Sequence, residues 1–171
     1  SKWFNVSQPK LEDVDFKTIS YQVYNTIRLS NTAVETNDQL SIKGESFMIK
    51  ACYVMHYADI LRNVFYNMFQ HSVNAMDGKR HFILDVEISS NEVRYQFIND
   101  TSEDSKTLNQ IFEEKLHSTS FAIGEGGSGI AKINKILKQD LACKENSISM
   151  NAVDGKCTTS IVVKLSNFKA K

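Results

Sequence analysis

Two asparagines one helical turn apart, Asn63 and Asn67, stand inside the run Asp59-Ile60-Leu61-Arg62-Asn63-Val64-Phe65-Tyr66-Asn67-Met68-Phe69-Gln70-His71-Ser72. At 3.6 residues per turn, Asn63, Asn67, Gln70, His71 and Asn74 project from one side of a helix, and Leu61, Val64, Phe65, Met68 and Phe69 form the opposed apolar face. A face built only for solvation usually carries Lys and Glu. Carboxamide oxygens are ligands for a hard cation, and Mg²⁺ held against phosphates needs only one or two protein oxygens beside its waters. The alternative is a helix whose polar side merely faces solvent.

A second signal lies downstream. The run Gly124-Glu125-Gly126-Gly127-Ser128-Gly129-Ile130 leads into the helical pattern Ile130, Ile133, Asn134, Ile136, Leu137, and it holds four of the seven glycines. Glycines let backbone N–H groups close on an anion, and the positive end of the following helix adds to the attraction, so the arrangement suits a phosphate. The run lacks the Lys-Ser/Thr of a P-loop and follows no strand as a dinucleotide fingerprint would. A flexible turn would have the same composition.

These segments need a frame to position them. The chain has 171 residues, 42% hydrophobic and 23% charged with zero formal net charge, the profile of one domain with an adequate core. Balanced charge without a basic run argues against a nucleic-acid partner or an anionic membrane surface. Cys52, Cys143 and Cys157 are odd in number and lack C-x-x-C spacing, so they read as reduced, partly buried thiols of a cytoplasmic protein, with no metal or nucleophilic role. No apolar run reaches the length of a bilayer span and no signal-peptide pattern opens the chain, which predicts no direct membrane insertion. Any membrane anchor of the parent protein is expected outside these residues.

Residues 1–10, with the only proline, Pro9, read as a lead-in, and 11–168 as one domain. Periodicity predicts a helix from residue 11 to about 34, strands over 40–43 and 47–54 around Gly44-Glu45, and the double-asparagine helix from near Tyr57. A hairpin over 81–89 and 93–98 turns at Ser90-Asn91, a short helix over 106–116 starts from Asp104 or Ser105 as cap, and a further helix runs to about 139. A closing hairpin pairs 147–153 with 158–165 across Asp154-Gly155. Hairpins separated by helices predict an α+β protein, a two-layer α/β sandwich with a mixed, mostly antiparallel sheet and helices on one face.

Together these features resemble the GHKL superfamily of ATP-binding domains, most closely the catalytic and ATP-binding domain of sensor histidine kinases, over residues 11–165. The family's N-box, approximately N-x-x-x-N-A-x-K/R-H/Y-S/T, is matched by Asn63, Asn67, Met68, Phe69, Gln70, His71 and Ser72. The resemblance implies a Bergerat-type fold with ATP and Mg²⁺ as cofactors, Asn67 as main metal ligand and Asn63 assisting. Leu108, Ile111, Phe112 and Glu113 resemble the phenylalanine box of the ATP lid. Gly127-Ser128-Gly129-Ile130 is similar to the end of the second glycine box, which places Gly124, Gly126, Gly127, Ser128, Gly129 and Ile130 around the phosphates. Thr159, Ile161, Val163 and Leu165 are similar to the last strand, whose threonine reaches the adenine pocket.

Two departures stand out. The family places an aspartate followed by Asn-Gly-x-Gly where this chain has Asn99-Asp100-Thr101-Ser102. Pleating puts Val93, Tyr95, Phe97 and Asn99 on one face, so Asn99 ends the core side of its strand and is expected to read adenine through a neutral acceptor. Gln70 replaces a basic residue near the phosphates. Lys115 or Lys132 stand near enough in sequence to substitute, and both are expected in solvent; His71 is expected to pack and hydrogen-bond rather than catalyse.

The hydrolytic branches of the superfamily resemble a scheme in which a glutamate four residues before the metal asparagine orients water, and here that position is Asn63. A neutral amide is no general base, so transfer of the γ-phosphate to an external acceptor fits better than hydrolysis. His56, His81 and His117 lie in no acceptor-helix context, so the phosphoaccepting histidine is expected on a separate helical domain outside this chain, with any dimerisation also through regions outside it. The alternatives are an ATP-binding switch that changes partner contacts without phosphotransfer, and a structural domain that has lost nucleotide.

Overall fold

The structure is a computed structural model that describes residues 12–31, 36–37, 40–74, 78–117, 128–142, 148–167 and 169–170. In chain order the elements are β1 (Val14–Asp15), α1 (Phe16–Ser30), β2 (Thr36–Asn37), β3 (Leu40–Lys43), β4 (Met48–Ile49), α2 (Ala51–His71), β5 (Arg80–Ile88), β6 (Glu92–Asp100), α3 (Ser105–His117), α4 (Ser128–Lys135), a π-helical turn (Ile136–Asp140), β7 (Ile148–Val153) and β8 (Lys156–Lys164).

Period-two patterning builds the sheet. β5 and β6 pair antiparallel from Phe82 opposite Asn99 to Ile88 opposite Val93. Each buries every second residue, Phe82, Leu84, Val86 and Ile88 on one strand and Val93, Tyr95, Phe97 and Asn99 on the other. β8 pairs antiparallel with β6, and β7 with β8 across Asp154-Gly155, whose φ values of 50° and 73° suit the tight turn that joins right-twisted strands. β2 and β3 run parallel to β5 on its far edge, so the sheet is mixed, with β5, β6, β8 and β7 in lateral order.

The helices cover one face. Phe65 of α2 meets Phe97 edge-on at 5.6 Å, Phe69 meets Phe82 at 4.9 Å, and Phe16 of α1 lies 6.4 Å from Tyr95. Ile133 and Leu137 complete the same apolar cluster. The opposite face carries exposed Arg94 and Gln96 and stays open to solvent. This is the expected two-layer α+β sandwich. After α4 the π-helical turn, in which the Leu141 N–H reaches the Ile136 carbonyl at 2.9 Å, keeps Ile136, Leu137 and Leu141 all buried.

Three elements differ in their bounds from expectation. The helix expected over 11–34 spans Phe16–Ser30, because Asp15 takes an extended backbone and its carboxylate accepts from the Thr18 N–H as N-cap, while Val14 and Asp15 pair with Ile49 and Met48. The strand expected over 47–54 shrinks to Met48–Ile49, and α2 begins at Ala51 rather than near Tyr57. Lys50 gives this helix no side-chain cap. Instead Asp13 Oδ1 accepts the Ala51 N–H at 2.8 Å from 38 positions away, a cap that leaves no local signature. Gly44, between β3 and β4, has φ +96°, and a Cβ there would stand 2.2 Å from the Ile88 carbonyl oxygen, so only glycine fits this approach.

Among the described residues no helix is long and apolar enough to cross a membrane. Cys157 is buried, but Cys52 is exposed, against the expectation of partial burial, because it falls on the solvent side of the first turn of α2; Cys143 lies outside the described residues.

Candidate functional site

α2, α3, α4 and the ends of β6 and β8 enclose a cleft of about 220 Å³. Strand register sets its floor. Asn99 lies opposite Cys157 and Phe97 opposite Thr159, which brings the side chains of Asn99, Cys157 and Thr159 together on the buried face. Asn99 and Thr159 are only 7% and 8% exposed, and both line the cleft. The Asn99 Nδ2 donates to the Asp100 carbonyl at 3.1 Å, and its Oδ1 has no partner among the described residues. Burial pushes the Cys157 thiol up to about 11, and the nearby Glu103 carboxylate pushes the same way, so the sulfur stays protonated at neutral pH and offers no nucleophile.

α2 supplies one wall through Val64, Asn67, Met68 and His71; against expectation His71 is exposed at the rim, where the helix ends, and its imidazole makes no hydrogen bond among the described residues. Its apolar face is packed as expected, with Leu61, Val64, Phe65, Met68 and Phe69 all buried. Asn67 is half-buried, lines the cleft and makes no hydrogen bond among the described residues. Across from it Gly129 sits in the second turn-forming position of α4, where a Cβ would come within 2.7 Å of the Asn67 Nδ2 and 3.0 Å of its Oδ1. The amide is therefore wedged against a backbone that must be bare. Ser128 opens α4 and Ile130 lines the cleft, whereas Gly124, Gly126 and Gly127 lie outside the described residues.

Asn63 and Gln70 do not join the site. The Asn63 Nδ2 donates to the Asp59 carbonyl of its own helix at 2.7 Å, and Asn63 is not among the residues that line the cleft. Gln70 is exposed and does not line the cleft, because one residue's rotation from Phe69 carries it to the solvent side.

α3 forms the roof with Leu108, Ile111, Phe112 and Lys115. Asp104 caps it, accepting from the Thr107 N–H at 2.9 Å. Asn109 fastens it to β7: its Oδ1 accepts the Ala152 N–H at 2.7 Å and its Nδ2 donates to the Ala152 carbonyl at 3.0 Å. A single amide thus pairs with the edge strand as a neighbouring strand would. Asn134 of α4 likewise donates to the Leu116 carbonyl at 2.9 Å. Between these ties Phe112, Ile130, Ala152 and Cys157 form a small apolar cluster apart from the main core. Asn109→Ala removes both bonds and is expected to lower the melting temperature by roughly 2–8 °C, at about 0.5–1 kcal/mol per hydrogen bond. A thermal shift under about 1 °C would show that α3 holds its place without the amide.

Sequence reasoning missed several lining residues. Cys157 was legible in principle, since it is two positions before Thr159 and pleating puts both on one face. Thr101 and Glu103 come from an irregular loop with no period to read. Lys115, expected in solvent, lines the cleft because it continues the inward stripe of Leu108, Ile111 and Phe112 at helical spacing.

No family model matches the sequence, and no curated protein is significantly similar to it. Solved structures do share the fold. The chain is similar to the catalytic domain of the histidine kinase ThkA in a nucleotide-free form, with 15% identity and TM-score 0.60 over 90% of this chain and 97% of that one. It is similar to the mycobacterial sensor histidine kinase MprB, with 12% identity and TM-score 0.58 over 94% and 100%. The Acinetobacter baumannii histidine kinase AdeS matches with 14% identity and TM-score 0.61 over 90% of this chain and 66% of that one. The architecture is that of histidine-kinase catalytic domains, the fold expected from the GHKL-like motifs.

Proposed function

We propose that this chain is a Mg·ATP-binding catalytic domain of the sensor histidine kinase type, which presents the γ-phosphate to a histidine on a separate helical domain. The observation that carries the reading is Asn67, a carboxamide with no protein partner among the described residues, pressed between a cleft and the bare backbone of Gly129. A neutral oxygen in such a place suits a hard cation that keeps most of its waters and binds phosphate. Asn67 Oδ1 would hold the ion; Asn63, one turn before it, does not line the cleft. When bound, Mg²⁺ would neutralise phosphate charge and fix the triphosphate's orientation.

The rest of the cleft fits a purine. Its surface is mostly apolar, from Val64, Met68, Ile111, Phe112, Ile130 and Ile133, with a few polar groups at the floor to fix orientation. The Asn99 Nδ2 is engaged by the Asp100 carbonyl, which leaves Oδ1 to accept from an exocyclic amine, a group adenine has and guanine lacks at the same ring position. Asn99→Ala is therefore expected to lower the preference for ATP over GTP by about tenfold. Competition binding with the two nucleotides checks it, and an unchanged preference would mean another group reads the base.

Phosphotransfer fits better than hydrolysis because the residue four positions before Asn67 is itself an amide, with nothing basic to activate water. Titrating ATP calorimetrically with and without Mg²⁺ tests the binding. Phosphate found on a histidine of a longer protein that carries this domain tests the transfer, and nucleotide binding without such phosphate would favour a switch that alters partner contacts.

A further inference from the structure

We infer that Lys115 is the side chain that neutralises the nucleotide's phosphates in this cleft, replacing the positive charge that the polar face of α2 lacks; the inference rests on the nucleotide reading above. The placement on α3 points to it. Leu108, Ile111, Phe112 and Lys115 fall at i, i+3, i+4 and i+7 and all line the cleft, so Lys115 is the one charged member of an otherwise apolar inward stripe. Its neighbours Glu113 and Glu114 are exposed, whereas Lys115 is half-buried. A lysine placed for solubility alone would sit with those glutamates.

Charge balance points the same way. Lys115 is the only lysine or arginine among the described residues lining the cleft. It makes no ion pair or hydrogen bond among them either. The other nearby cations are occupied or turned out: Arg62 pairs with Asp59, Arg80 donates to the Phe69 carbonyl and to Asn74, and Lys132 is exposed. Glu103, the one carboxylate of the lining, is exposed and makes no ion pair with Lys115. A triphosphate entering beside Asn67 would find one divalent ion, the N-terminal end of α4 and this ammonium. An ammonium on a flexible stem suits this task, since it can follow phosphate oxygens as the group is presented for transfer.

The test uses the whole chain with Lys115→Met, which keeps an unbranched apolar stem, and Lys115→Arg, which keeps the charge. Calorimetry would compare Mg·ATP, Mg·ADP and adenosine at low and high salt. For Lys115→Met, Mg·ATP affinity is expected to fall by about tenfold or more, as for loss of a hydrogen bond to a charged group, with adenosine changed by no more than about twofold. The salt dependence of ATP binding should flatten in the same variant, and Lys115→Arg should restore most of the affinity. Equal losses for ATP and adenosine would show that Lys115 only packs the roof, and an unchanged ATP affinity would show that it never meets the phosphates; either result overturns the inference. If the unaltered chain binds no adenine nucleotide, the functional reading fails and this inference with it. Asn67-dependent Mg·ATP binding that survives Lys115→Met sinks the lysine alone.

Discussion

Asn67→Ala is expected to weaken Mg·ATP binding by about a hundredfold while moving the melting temperature by no more than about 2 °C. The two readouts separate because the side chain is half-buried at a cleft wall and makes no hydrogen bond among the described residues, so folding loses little when it goes. Binding loses a metal ligand. Gly129→Ala should imitate the binding defect, since the new methyl group would fall 2.7 Å from the Asn67 Nδ2 and displace the amide. What moves is the tip of a side chain rather than backbone, so the stability cost stays small. Binding measured at fixed ATP while Mg²⁺ is varied, alongside a melting curve, would check both substitutions. Equal loss of affinity and stability would show that the asparagine is a structural group and that the metal lies elsewhere.

The largest stability effect is expected at Phe97. Phe97→Ala should cost about 3–5 kcal/mol, the usual range for a large aromatic removed from a close-packed core. This ring is fully buried, lies edge-on to Phe65 at 5.6 Å and sits 5.9 Å from Tyr95, so its loss leaves a hole between sheet and helix that neither rigid layer can close. At roughly 2–4 °C per kcal/mol for a domain of this size, the melting temperature should drop by about 6–20 °C. Phe97 is also opposite Thr159 and two residues from Asn99, so the floor of the cleft should loosen before the whole domain melts. Chemical denaturation followed by tryptophan-independent circular dichroism would give the energy. A loss under about 1 kcal/mol would mean that the site collapses around the gap and that the two layers are less rigid than described.

Strands and the Asn67 helix were legible because burial imposes a period. Alternation in 93–99 placed Asn99 on the core side, and the structure puts it there. The residues that meet in the cleft from separate elements, Asn67, His71, Asn99, Gly129, Ile130 and Thr159, were found through motif spacing, since no periodicity says that the end of β6 faces the start of α4. What escaped was set by contacts across the fold. Asn63 looks like a ligand by spacing, but it does not line the cleft and its Nδ2 bonds a carbonyl of its own helix. Lys115 looked like a solvated charge until the docking of α3 through Asn109 decided which side faces inward. The early start of α2 depends on a carboxylate 38 positions away, which no local window contains.

That carboxylate has a mechanical consequence. Asp13 belongs to the segment through which the chain enters the domain, and it grips the first amide of the rod that carries Asn67 some 16 residues, about 24 Å, further on. Trimming the chain to begin at Phe16 would strip that cap from the rod and leave its rear end tied to α1 through Tyr57, which packs on Phe16 and bonds Ser20.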